Sequence, residues 1–186
     1  MDLWLVRHGE TTWSRTGQHT GKTDLELTDA GREQARAAAQ RLEGGSFDAV
    51  RVSPARRAVE TADALGCDYV VDDDLVEFDY GEYEGMTTVQ VRTERHNWDL
   101  WTDGCPGGET AADVGARVDA VLQRFVEAGV KQGMLVGHSH TLRILAARYL
   151  GLPPEMGRLF KLDTATVSVL SVYHARPVLS TWNAPV

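Results

Sequence analysis

Residues 3–9 read Leu3-Trp4-Leu5-Val6-Arg7-His8-Gly9, and residues 134–140 read Met134-Leu135-Val136-Gly137-His138-Ser139-His140. Each is a short apolar run cut off by a polar cluster that contains histidine. Such a run is too short for a helix and suits a strand buried on both faces. A third run, Phe47 to Val52, stops in the same way at Ser53-Pro54. Helical patterns lie between these runs. Thr28 caps a segment in which Gly31, Ala35, Ala38, Ala39 and Leu42 recur at helical spacing, and Gly44-Gly45 ends it. A second helix is expected to start with Pro54 in its first turn and to bury Ala58, Ala62 and Leu65. The longest amphipathic pattern, Glu109 to Ala128, aligns Val114, Val118, Val121, Leu122 and Phe125 on one face. Leu142 to Leu150 is expected to be helical, Tyr69 to Val71 a short strand, and Thr166 to Tyr173 and Val178 to Trp182 closing strands. Strands that alternate with helices predict an α/β sheet covered on both faces.

In such a sheet a ligand binds in the crevice beyond the carboxyl ends of the strands. Arg7-His8, the stretch from Ser53 to Arg57, and His138 all stand just past a predicted strand. Three separate segments thus aim polar groups at one place. Residues 9–28 carry Gly9, Gly17 and Gly21, show no periodicity and are expected to form a functional loop. Residues 72–85 read as irregular. Residues 86–101 read as partly helical, with Val89, Trp98 and Trp101 inward.

The chain has 186 residues and a net charge of −8. That length predicts one domain, residues 1–186, with enough chain to bury a core. The acidic balance argues against nucleic acid or an anionic membrane as partner, since both demand excess positive charge. No apolar run is long enough to span a bilayer. The N-terminus lacks the basic region and the cleavage signal of a signal peptide, so a cytoplasmic location is expected. Cys67 and Cys105 cannot build a disulfide framework, and no CxxC pair suggests zinc. Nothing in the sequence fixes the oligomeric state, and a homodimer is compatible with it.

Two arginines, Arg7 and Arg57, and two histidines, His8 and His138, converge on the crevice of an acidic protein. A dianionic phosphoryl group calls for that chemistry. Guanidinium forks match phosphate oxygens in pairs, and a helix start at Arg57 adds free N–H groups. A neutral imidazole can attack phosphorus near neutral pH. His138 and His140 form an HxH pair that invites a metal reading. A metal needs three or four ligands, and no third one stands at a suggestive spacing.

With these residues in view, the sequence resembles the histidine phosphatase superfamily, in the branch of the cofactor-dependent phosphoglycerate mutases and related phosphatases. The segments that carry the resemblance are LVRHGETTW (5–13), HTGKTDLELTDAGREQA (19–35), SPARRAVETA (53–62), LVEFDYGEYEG (75–85), GCPGGET (104–110) and LVGHSHTLRIL (135–145). Two of the loops look most similar to sedoheptulose-bisphosphatase-type enzymes and to bacterial acid phosphatases. The resemblance implies a three-layer α/β/α sandwich with a mostly parallel, mixed sheet. It implies that His8 is the nucleophile that becomes phosphohistidine. Arg7, Arg57 and His138 would hold the phosphoryl group, and Glu77 would protonate the leaving oxygen and then activate water. Thr20, Gly21, Tyr80 and Ser139 fall on substrate-side positions. So does Ser14, where many relatives carry Asn, which weakens one expected bond to phosphate. His19 and His140 are expected at the pocket wall. No metal or organic cofactor is implied.

The expected function is hydrolysis of small phosphomonoesters, sugar phosphates or bisphosphates among them. One rival is phosphoglycerate mutase activity from the same site. Against it, Thr87-Thr88 carries no charge and Trp101 is followed by Thr102 and Asp103, whose carboxylate would repel that of a phosphoglycerate. Another rival is a silent fold that only binds a phosphorylated ligand. Such a fold would need the arginines but not Glu77.

Overall fold

The structure is a computed structural model that describes residues 1–42 and 44–186. The elements are β1 (Asp2–Arg7), α1 (Thr12–Thr16), α2 (Asp29–Leu42), β2 (Ala49–Val52), α3 (Arg56–Leu65) and β3 (Val70–Val71). They continue with α4 (Thr88–Glu94), α5 (Leu100–Asp103), α6 (Ala111–Glu127), β4 (Gln132–Gly137), α7 (Ser139–Tyr149), β5 (Val167–Tyr173) and β6 (Arg176–Ala184). Short 3-10 turns stand at Asp73–Leu75, Gly81–Tyr83 and Pro154–Leu159.

The six strands form one sheet in the order β3-β2-β4-β1-β5-β6. The first four run parallel, β5 pairs antiparallel with β1, and β6 antiparallel with β5. This is the α/β sheet that the sequence pattern predicts, mostly parallel as the resemblance implies. Alternate side chains of each strand enter opposite layers. Leu3, Leu5 and Leu135 pack with Val114, Val118 and Phe125 of α6 and Leu142 and Leu145 of α7. Val6, Val52, Met134 and Val136 pack on the other face with Ala58 and Ala62 of α3. Burying each Val or Leu contributes about 1.5–3 kcal/mol. The small residues of α3 let that helix lie close to the sheet, and α2 packs beside it.

Four local expectations change. The loop from 9 to 28 contains α1, because Thr11 and Ser14 form a reciprocal capping box and Gly17, at φ 76°, closes the turn. Pro54 lies outside α3, whose N-cap is Ala55. α6 starts at Ala111, because Thr110 is its cap and bonds to Asp113. Val89 is 77% exposed, and Val91 takes the buried position on α4 instead.

Close packing of two glycines sets where the loop after β1 can go. A Cβ on Gly9 would lie 2.4 Å from the Gly31 carbonyl oxygen, and one on Gly31 would lie 2.2 Å from that of Glu10. Only glycine lets the start of α2 touch the chain next to His8.

Candidate active site

β1, β2 and β4 are neighbours in the sheet and end on the same side, so the residues that follow them meet. His8 follows β1, Ser53 follows β2, and His138 follows β4 and caps α7. The backbone around His8 is held from three sides. Its N–H donates to Gly137 O at 2.9 Å, and the Ala165 N–H donates to Arg7 O and His8 O at 3.0 and 3.2 Å. The Gly9 N–H donates to Thr61 Oγ1 at 3.1 Å, and that hydroxyl donates to Arg57 O at 2.8 Å.

The His8 ring has a fixed tautomer. Its Nδ1 lies 2.7 Å from the Gly9 carbonyl, which can only accept, so Nδ1 carries the proton and Nε2 keeps its lone pair. Burial, then the charges of Arg7 and Arg57, hold the His8 pKa well below the ordinary histidine value. The ring is therefore neutral and nucleophilic at neutral pH. His138 stands 5.2 Å away, ring to ring, and is fully buried. Its Nδ1 accepts from Arg57 Nε at 3.2 Å, so its Nε2 proton goes to Ser53 Oγ at 2.7 Å. Burial and Arg57 hold this histidine well below its ordinary pKa too.

Arg57 is 1% exposed. Besides His138 it donates to the carbonyls of Thr20 and Gly21 at 3.1 Å and of Thr23 at 3.0 Å. It therefore pins the loop that follows α1 and sends its field toward His8. Arg7 donates from NH1 to Leu162 O at 2.6 Å, while its buried Nε has no partner. A buried donor without a partner beside a nucleophile is a place where an anionic oxygen gains the most.

Glu77 is brought to the same cavity from the segment after the first 3-10 turn, and it is 7% exposed. Its Oε1 accepts from the N–H groups of Phe78 and Thr141 at 2.9 and 3.0 Å. Its Oε2 accepts from the His140 N–H at 3.1 Å. The last two donors belong to the first turn of α7, where free N–H groups favour a carboxylate. This segment is built as an anchored site, not as one solvated carboxylate among its acidic neighbours.

The cavity has a volume of about 230 Å³, and Arg7, His8, Ser14, Thr20, Glu77, Tyr80 and Ser139 all line it. His19 and His140 line it as expected, and Gln18 and Thr88 join them. Nothing in the local sequence marks Thr88, whose place depends on how α4 docks. Arg57 and His138 lie behind the wall. Gly21 is not brought to it: its N–H is bound by Glu84 at 3.0 Å, and it faces a larger adjoining cavity of about 440 Å³. Ser14 reaches the wall, but its hydroxyl accepts from Thr11 N at 2.8 Å and lies 3.1 Å from Thr11 O. Asp103 does not face the cavity: it accepts from Asp99 N at 2.9 Å and lies 3.7 Å from Arg95, so it repels nothing bound there. Cys105 is buried, which pushes its thiol up to about 12 and leaves it unreactive. No cluster of three or more metal-ligating side chains gathers among the described residues.

Relatives share this chain almost end to end. An acid phosphatase of Mycobacterium tuberculosis is 42% identical over 176 residues, covering 92% of this chain and 87% of the relative. The sedoheptulose 1,7-bisphosphatase of Saccharomyces cerevisiae is 35% identical over 181 residues, covering 80% of this chain and 67% of that enzyme. A solved structure of an open reading frame product of Mycobacterium tuberculosis superposes with a TM-score of 0.93 at 38% identity, covering 99% and 97% of the two chains. Residues 3–185 match the histidine phosphatase superfamily (branch 1), and the chain belongs to that family.

Proposed function

We propose that the protein is a phosphomonoester hydrolase that works on small phosphorylated metabolites through a phosphohistidine at His8. The observation that carries this is the fixed tautomer of His8: a buried, neutral ring with its Nε2 lone pair free, in the cavity that also holds Glu77. In the first step His8 Nε2 bonds to phosphorus in line as the bond to the ester oxygen breaks. That oxygen takes its proton from Glu77 Oε2, the oxygen with a single N–H partner. Arg7 Nε donates to the phosphoryl oxygens, Arg57 acts from behind by its charge and by fixing the loop at Thr20, and His138 accepts from Arg57 Nε and so orients it. In the second step Glu77 takes a proton from water. The water oxygen bonds to phosphorus, the phosphorus–nitrogen bond breaks, and phosphate and free His8 remain.

Ser14, Thr20, Tyr80 and Ser139 are assigned to the substrate wall, and Gly21 to the support of the loop through its carbonyl. The two free cysteines favour a reducing, cytosolic setting. Rapid quenching during turnover of p-nitrophenyl phosphate in EDTA should trap an acid-labile, base-stable phosphoprotein that is absent from His8→Ala. Two displacements should give overall retention at phosphorus. Inversion, or steady turnover by His8→Ala, would rule the covalent route out.

A further inference from the structure

Beyond the phosphoryl end, the cavity has a wall built from His19, Tyr80, Thr88 and His140. His19 stacks on Tyr80 with ring centres 4.6 Å apart, and Tyr80 OH lies 2.6 Å from His140 Nδ1. Burial and the nearby Glu77 hold the Tyr80 pKa well above the usual tyrosine value, so its hydroxyl keeps its proton and both gives and accepts hydrogen bonds. His140 Nε2 has no protein hydrogen-bond partner among the described residues and is left for a ligand hydroxyl. Thr88 Oγ1 stands 3.4 Å from His19 Nε2, a loose contact that a ligand hydroxyl can replace. Burial lowers the pKa of both histidines, so each is neutral at neutral pH.

The wall thus offers hydroxyls and imidazoles, which both give and accept hydrogen bonds, but no fixed positive charge. Among the described residues, the ionisable acid and the base of fixed charge that line the cavity are Glu77, which the first step uses as proton donor, and Arg7, which serves the phosphoryl group. Nearby cations are turned elsewhere. Arg143 stacks on the Trp101 ring at 4.5 Å and donates to Gly157 O, Lys22 pairs with Asp79, and Arg92 donates to Trp98 O. A second anionic group on a substrate would lose water here and find no counter-charge.

We propose that the wall formed by His19, Tyr80, Thr88 and His140 selects hydroxylated, uncharged leaving groups, so that the preferred substrates are monophosphates of sugars and polyols and not bisphosphates or phosphorylated acids. This rests on the hydrolase reading given above. Glycerol 3-phosphate and 3-phosphoglycerate form a matched pair, since one ends in a CH2OH where the other ends in a carboxylate. Fructose 6-phosphate and fructose 1,6-bisphosphate form a second pair.

The test measures kcat/KM on both pairs, with p-nitrophenyl phosphate as control. The neutral member of each pair should be favoured at least tenfold. Thr88→Lys, which puts a cation on the wall, should cut that preference at least threefold by raising kcat/KM for the anionic member. The selectivity proposal is overturned if p-nitrophenyl phosphate turns over through His8 while the anionic esters match or exceed the neutral ones. It is equally overturned if no neutral polyol phosphate is hydrolysed, or if Thr88→Lys leaves the ratio unchanged. Loss of p-nitrophenyl phosphate turnover in the wild-type protein would instead defeat the hydrolase reading itself.

Discussion

Glu77→Gln keeps the shape of the side chain and takes away its proton chemistry. In the structure, Oε1 accepts from Thr141 N and Phe78 N, and Oε2 accepts from His140 N. A glutamine can place its carbonyl oxygen at the first position. Its NH2 group then faces the His140 N–H, donor against donor. One charge-assisted bond at the start of α7 is lost, with a stability cost of roughly 1–3 kcal/mol. In a chain of this size that lowers Tm by about 2–4 °C per kcal/mol, so the variant stays folded at 25 °C. The catalytic loss is separate. Removing a general acid costs about 10²–10⁴ in rate, or roughly 3–5 kcal/mol of barrier. That loss should fall on esters whose leaving oxygen needs the proton. The assay is kcat/KM at 25 °C on glycerol 3-phosphate and on p-nitrophenyl phosphate, whose leaving group departs as a stable anion. The glycerol ester should lose about 10² or more, and the nitrophenyl ester far less in its first step. Equal losses on both esters would refute Glu77 as the acid and leave it a structural ligand of α7.

His8, His138 and His140 all have pKa values held well below 6.5 in the folded state. The unfolded chain therefore binds protons first, and stability should fall as the pH drops below about 6.5, by up to about 1.4 kcal/mol per pH unit for each group; a flat Tm between pH 7 and 5 would contradict this. Thr61→Val should cost about 1–3 kcal/mol in urea unfolding, because it strands the buried Gly9 N–H that Thr61 Oγ1 now holds. In the β5–β6 hairpin His174 and Ala175 sit at φ 48° and 60°, where Asn-Gly is favoured. The double variant His174→Asn with Ala175→Gly should raise Tm by a few degrees, on the order of 1 kcal/mol, without changing kcat. Interconversion of 2- and 3-phosphoglycerate, primed with 2,3-bisphosphoglycerate, should run slower than phosphate release from glycerol 3-phosphate. The reverse order would mean that residues outside the cavity wall clamp the carboxylate.

The order of strands and helices was legible in the sequence, for a local reason. Short apolar runs that end in polar clusters are too short for helices and suit buried strands, and the period of the intervening segments suits helices. The convergence of Arg7, His8 and His138 followed from the same reading, because residues beyond the carboxyl ends of neighbouring parallel strands must meet. Their chemical types then named the phosphoryl group. What the sequence left undecided depends on contacts between segments far apart in the chain. Residues 9 to 28 lack periodicity, yet α1 forms there because a capping box stabilises a single turn and the loop after it is tied down by Arg57. Glu77 sits in a run of carboxylates that looks solvated in sequence, and the docking of α7 adds the N–H groups of His140 and Thr141 to the local one of Phe78. Gly21 follows Thr20 of the cavity wall, but its bond to Glu84 turns it elsewhere, and Asp103 is turned toward Asp99. Thr88 and Gln18 reach the wall through the packing of α4 and α1, which no local pattern encodes. The protonation states of the site were also beyond the sequence. Which nitrogen of His8 carries the proton is fixed by the Gly9 carbonyl, and how far its pKa falls is fixed by burial and by two guanidinium groups, one of them brought from a different strand end.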